Sequence, residues 1–261
     1  MNIGFMIGCF ISIVFWGIDR EKVLNNILQK LNGRYTYKII KVVHALLIGC
    51  MVGLIFYVEK YVILENKLLG EILGVITGII AIDVSNADKK SIKCEGEKKY
   101  FCDTISLISR GITCGFIGPI IYVNIFGMYF ALLHSMIYQY TLIHENTLIN
   151  GLKNLLNVIP SMVAIICLYL LYIFRYKNIY LSFRGDFLKN MFLNPLLNVD
   201  ILGAYAQGVG FYWYQQEGSA FMKAYGKFQR KIDRECVVNY ISIAYAICLV
   251  VFVGSFIIVR S

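Results

Sequence analysis

The chain has 261 residues, 58% of them hydrophobic and only 16% charged, with a formal net charge of +9 and a mean hydropathy of +0.65. A water-soluble domain carries about 25% charged residues, so this chain has too little polar surface to cover a globule in water. The same composition excludes disorder, a collagen-like fibre and a secreted disulfide framework.

What remains is an all-α, polytopic membrane bundle, read as a single domain over residues 1–261 in the cell membrane. Crossing about 30 Å of hydrocarbon takes roughly 20 apolar residues. Six stretches qualify or come close: residues 3–16, 39–58, 68–84, 112–137, 160–174 and 237–259. The first lacks a basic n-region and a small-residue cleavage site, so it reads as a retained helix. Gly118-Pro119 inside the fourth is expected to bend or interrupt that helix.

Basic residues set the orientation. Six Lys and Arg lie between Arg20 and Lys41, six between Lys89 and Arg110, and nine between Arg175 and Arg234, which is 21 of the 25. Only Lys60, Lys67, Lys153 and Arg260 fall on the other side. Six alternating spans then put the basic loops in the cytoplasm and both termini outside. The positive charge is met by anionic lipid head groups, and no nucleic-acid partner is needed to explain it.

Amphipathic segments lie between the spans. Val23 to Leu31 forms one apolar stripe, and Ile179 to Phe192 another. Between them, Leu148, Leu152, Leu155 and Ile159 oppose Asn150, Lys153, Asn154 and Asn157. Such stripes are expected of helices lying in the interface plane. Residues 201–216, rich in small and aromatic side chains, read as a broken or re-entrant element. Gly70, Gly74 and Gly78 form a face that permits close helix approach, either within one subunit or against a membrane partner or a second copy.

Motif searches mostly exclude. There is no P-loop, no dinucleotide fingerprint, no zincin motif after His144-Glu145, and no Cys-x-x-Cys among the eight cysteines. Cys94 and Cys102 fall in a cytoplasmic loop and are expected to stay reduced. Inside the spans Glu71, Asn124 and His134 carry information, because polar groups are costly there. Helix-to-helix hydrogen bonding is the expected use of Asn124 and His134.

From about Ser106 to Gln216 the order of elements resembles the CobD/CbiB family of cobalamin-biosynthesis membrane proteins. Gly115, Pro119 and Tyr122 fall on that family's Asp-Gly-x-x-Ala-Pro-x-x-Tyr segment. Asn157 and Pro160 match its Asn-x-x-Pro, and Pro195 and Asn198 match its His-Pro-x-x-Asn-Ala-Gly stretch. Ala204 and Gly208 fit the small-residue segment that follows. The acids of the family's Ala-Glu-Asn-x-x-Asp run are replaced here by Arg110 and Cys114. Tyr138 and Thr141 replace the Asn and Asp of its Asn-Thr-Leu-Asp-Ser-Met motif.

The resemblance implies an ATP-dependent amide ligase that joins aminopropanol phosphate to an adenosylated corrinoid acid. It points to Asp103, Asn157, Asn198 and Asp200 as site residues. Asp200 is the one weak Mg²⁺ ligand to consider, since carboxylates suit hard cations. Glu145 is a further acid that could substitute for those lost. ATP and Mg²⁺ are expected only if the family activity survives. A non-catalytic scaffold or docking subunit, and a small transporter, are the rival functions.

Overall fold

The computed structural model describes residues 3–14, 37–62, 67–84, 107–144, 147–177, 179–180, 193–206, 210–216, 219–225 and 234–260. In chain order these are α1 (Ile3–Val14), α2 (Tyr37–Tyr57, ending in a π-turn at Val58–Val62) and α3 (Lys67–Ala81). There follow α4 (Leu107–Ile125), α5 (Met128–Ile143), α6 (Thr147–Leu156), α7 (Val158–Tyr176) and α8 (Pro195–Ala206). A hairpin of β1 (Gly210–Gln216) and β2 (Ser219–Tyr225) leads to α9 (Arg234–Arg260). Four helices are long and apolar enough to cross a membrane: Lys41–Tyr61, Leu107–Ile125, Val158–Tyr176 and Val238–Ile257. Two shorter apolar helices, Ile3–Ile13 and Leu68–Ala81, accompany them.

The expected fourth span, residues 112–137, is not one helix. It breaks at Phe126 and Gly127, and α5 folds back along α4. Phe126 meets Phe130, Tyr122 meets Phe130 and His134, and a Cβ on Gly118 would strike the His134 ring. Gly127 has φ +104°, a region that side chains disfavour. The turn is capped from another helix: Glu59 accepts hydrogen bonds from the backbone N–H groups of Met128 and Tyr129, at 3.1 and 3.2 Å. A carboxylate at a helix N-terminus satisfies orphan donors and complements the helix dipole.

α5 also runs antiparallel to α2. His44 packs on Tyr140 and His144 at one end, and Phe56 packs on Tyr129 at the other. The bundle therefore has an Arg110 end, which includes His44 and His144, and a Glu59 end, which includes Gly127.

α1 and α3 lie side by side in the same direction. The Gly4 N–H donates to the Glu71 carboxylate, and Ser12 Oγ donates to the Ile82 carbonyl at 2.7 Å. The small-residue face of α3 is met by one on α1. A Cβ on Gly78 would lie 2.6 Å from the Phe5 carbonyl oxygen, and one on Gly8 would strike the Val75 carbonyl. The face carrying Gly78 is thus taken up inside the chain, and buried Gly70 and Gly74 share that helix.

The end of α3 docks on α4. Pro119 has no N–H, so the Gly115 carbonyl lacks the ordinary partner four residues on. The helix widens into a π-turn at Thr113–Ile117, and the Asp83 N–H takes the freed Gly115 carbonyl at 2.9 Å.

α8 runs antiparallel to α4, with Asp200 beside Arg110 and Leu196 beside Cys114. It runs in the same direction as α7. Asn154 donates to the Leu193 carbonyl before both helices, and Arg175 donates to the Ala206 carbonyl at their ends. α9 joins through Tyr240, whose hydroxyl is bonded to Ser109 Oγ.

Residues 201–216 divide between the last turns of α8 and the first strand. The strands pair antiparallel from Gly210 with Tyr225 to Gln216 with Ser219. The aromatic run Phe211–Tyr214 suits a strand better than a half-helix. The amphipathic segments at residues 23–31 and, beyond Tyr180, 181–192 lie outside the described residues.

Candidate functional site

The polar chemistry gathers where α4, α5, α6, α7 and α8 meet at the Arg110 end. Asn157, at the joint between α6 and α7, is 1% exposed. Its amide nitrogen donates to the Lys153 carbonyl at 2.8 Å. That commitment turns its oxygen toward two neighbours. Cys114 Sγ donates to it at 3.2 Å, and His134 Nε2 lies 3.1 Å from it. His134 must carry its proton on Nε2 to make this bond, and its Nδ1 makes no hydrogen bond. The Tyr122 hydroxyl donates to the Leu156 carbonyl, which ties the end of α6 to α4.

One turn from Cys114, Arg110 reaches α8. Its Nη2 lies 2.9 Å and its Nε 3.2 Å from the same Asp200 oxygen. Arg110 has 43% of its side chain exposed, while Asp200 has 1%. The pair therefore has a wet cationic end and a dry anionic end. Asn198, fully buried, sits half a turn before Asp200. Ser109, Tyr240 and Gly203 close the cluster on the α9 side, and a Cβ on Gly203 would meet the Tyr240 hydroxyl.

α6 is turned the reverse way from a helix of a soluble protein. Its leucines point outward, with Leu148 86% and Leu155 67% exposed. Its polar stripe of Asn150, Lys153 and Asn154 is half-buried, with Asn157 buried beyond it. Such a helix is stable where the surroundings are hydrocarbon and the interior is polar. Sequence reading put Asn157 and Lys153 on the opposite side from Asn198 and Asp200. The structure places them together, because α5 returns where a single long span would have ended.

Of the four sequence-expected site residues, Asn157, Asn198 and Asp200 share this region. Asp103 and Glu145 lie outside the described residues. Asp200, the expected Mg²⁺ ligand, gives Oδ2 to Arg110, and among the described residues no three His, Cys, Asp or Glu side chains form a metal-binding group. The donor set on view does not fit a Mg²⁺ ion, which takes six oxygen ligands. Glu71 holds the Gly4 N–H, and Asn124 donates to the Ile120 carbonyl of its own helix. Sequence reading missed Lys153, the Glu59 cap, and the ring contacts of His44 with Tyr140 and His144. Burial lowers the basicity of Lys153, with Cys114 opposing and Arg110 adding to this, and burial, then His44 and Lys41, lowers that of His144.

No protein-family model matches the chain, and neither does a curated protein or a solved structure.

Proposed function

We propose that the chain is a divergent corrinoid amide ligase built on the CobD/CbiB frame, with its polar site facing the cytoplasm. One observation carries this reading. The seven matched positions Gly115, Pro119, Tyr122, Asn157, Pro160, Pro195 and Asn198 come from three distant segments, and all seven are buried. Those segments meet around the Asn157 and Arg110–Asp200 contacts. A shared ancestry would leave that pattern, since the frame that positions a site is retained when its side chains change. The cytoplasmic side follows from the basic residues. Six Lys and Arg run from Lys89 to Arg110 ahead of α4, and Lys153 lies beside Arg110.

Within this reading, Asn157 and His134 form a buried polar wall, and Arg110 holds Asp200 in place. ATP would supply the activation of the carboxylate. Mg²⁺ is assigned no ligand here. A non-catalytic docking role is the second reading. It is favoured by Asp200 being committed to Arg110 and by Cys114 standing where the resemblance expects an acid.

The test is complementation of a strain lacking its adenosylcobinamide-phosphate synthase. The ligase reading expects rescue by the wild type and loss of rescue in Asn157→Ala, with expression unchanged. Failure of a well-expressed wild type would leave the docking role. Rescue that persists in Asn157→Ala would keep the enzyme and discard this site.

A further inference from the structure

The cluster at the Arg110 end holds an excess of positive charge. Asn157 links the backbone of Lys153 to the thiol of Cys114. Lys153 is one turn before Asn157, and Arg110 is one turn before Cys114, so the two cations occupy facing turns of α6 and α4. Burial pushes the Lys153 ammonium toward its neutral form; Cys114 opposes this and Arg110 adds to it. Asp200 is the one carboxylate among the described residues that answers them, and it is paired with Arg110. Among the described residues, Arg110, Lys153 and Asp200 therefore carry one net positive charge in a half-buried setting. The other titratable neighbours, Cys114 and Tyr138, are buried in apolar contact with Leu196 and supply no anion.

Holding two cations together away from bulk water is costly unless an anion joins them. The Arg110 side chain is 43% exposed, so its outer side can be reached by a ligand. Leu148, Leu152 and Leu155 of α6 face outward, as acyl chains would require. Charge, exposure and apolar flank together select a ligand.

We propose that Arg110 and Lys153 form a binding site for a phosphate-class oxyanion, supplied by the head group of an anionic lipid or by a free phosphate. A guanidinium and an ammonium on facing turns can each donate to one tetrahedral anion, and charge-assisted bonds of this kind are the strong ones. The site does not rest on the ligase reading, because a docking protein or an enzyme could hold the same anion.

The experiment uses the purified full chain in a neutral detergent. Its melting temperature is followed while phosphatidylglycerol, phosphatidylcholine or inorganic phosphate is titrated in. Phosphatidylglycerol is expected to raise it saturably, phosphatidylcholine is not, and 0.5 M salt should weaken the effect. Lys153→Gln should raise the apparent dissociation constant about tenfold, the loss of one charge-assisted contact. Lys153→Arg should retain binding, which separates loss of charge from loss of folding. Lys177→Gln, an exposed lysine at the end of α7, is the control. Response to phosphatidylglycerol alone assigns the site to lipid, and response to inorganic phosphate assigns it to a soluble phosphate. Equal response to both lipids with none to phosphate would overturn the proposal, as would equal losses in Lys153→Gln and Lys177→Gln.

Discussion

α2 and α4 are apolar helices of similar length in opposite surroundings. Of the apolar window in α2, 11% is buried; in α4 the figure is 78%. α2 shows Leu46, Leu47 and Leu54 to the outside, and a Cβ on Gly49 or Gly53 would meet nothing within 4 Å. α4 buries Ser109, Thr113 and Cys114 and carries Arg110 and the π-turn. In water the more apolar helix would be the inner one. In hydrocarbon that preference vanishes, and small and polar side chains mark the inward face.

The sharpest break of that comparison is one substitution made on both helices. In Gly115→Leu the new side chain would collide with the Asp83 carbonyl, which docks on that glycine. Collision with backbone leaves little room to relax, and a loss of about 3 kcal/mol or more is expected. Gly49→Leu should change stability by less than about 0.5 kcal/mol. Chemical denaturation in mild detergent reads both, and similar losses would remove the distinction between the helices.

Next in size is the ion pair. Arg110→Ala removes the ion pair to the buried Asp200 carboxylate and should cost about 3 kcal/mol. Asp200→Asn should cost less, because Arg110 can turn its charge to water. The double variant should recover part of the loss. If Asp200→Asn proves the more damaging single change, the assignment of dry and wet ends is reversed.

Glu59→Gln comes third. It keeps an acceptor at the start of α5 but removes the charge, with an expected cost of about 1 kcal/mol. Glu71→Gln provides the matching test at the start of α1.

The smallest effect is acid sensitivity at His144. Burial, then His44 and Lys41, lower its pKa from the ordinary 6.5. A group depressed in the folded state binds fewer protons there than when unfolded. Its stabilising contribution is present above pH 6.5 and is lost as the pH falls below that value toward the folded pKa. Melting temperature should therefore drop between pH 7 and pH 5, with a shallower slope in His144→Gln. An unchanged slope would remove His144 from this account.

The helical membrane class was plain in the composition, and the four long helices fall on expected apolar stretches. The α4–α5 turn was not readable. Its residues, Phe126 and Gly127, are apolar or neutral, and the group that caps it, Glu59, lies 69 residues away in sequence from Met128. Asn157, Asn198 and Asp200 stood out as polar residues on a recognisable frame. Arg110 and Cys114 stood out only as replacements of the family's acids, and Lys153 was set apart from them because residues 112–137 read as one crossing. The Gly78 face was legible on α3, but its counterpart at Gly4 and Gly8 became visible only once α1 lay alongside.

The central claim is that α5 folds back along α4, which brings Lys153 to the same end of the bundle as Arg110. Single cysteines at positions 60, 126 and 153, introduced without the native cysteines, test it through an impermeant maleimide. The account predicts labelling of positions 60 and 126 in intact cells, with position 153 labelled only after permeabilisation. Labelling of positions 126 and 153 alike in intact cells would contradict it.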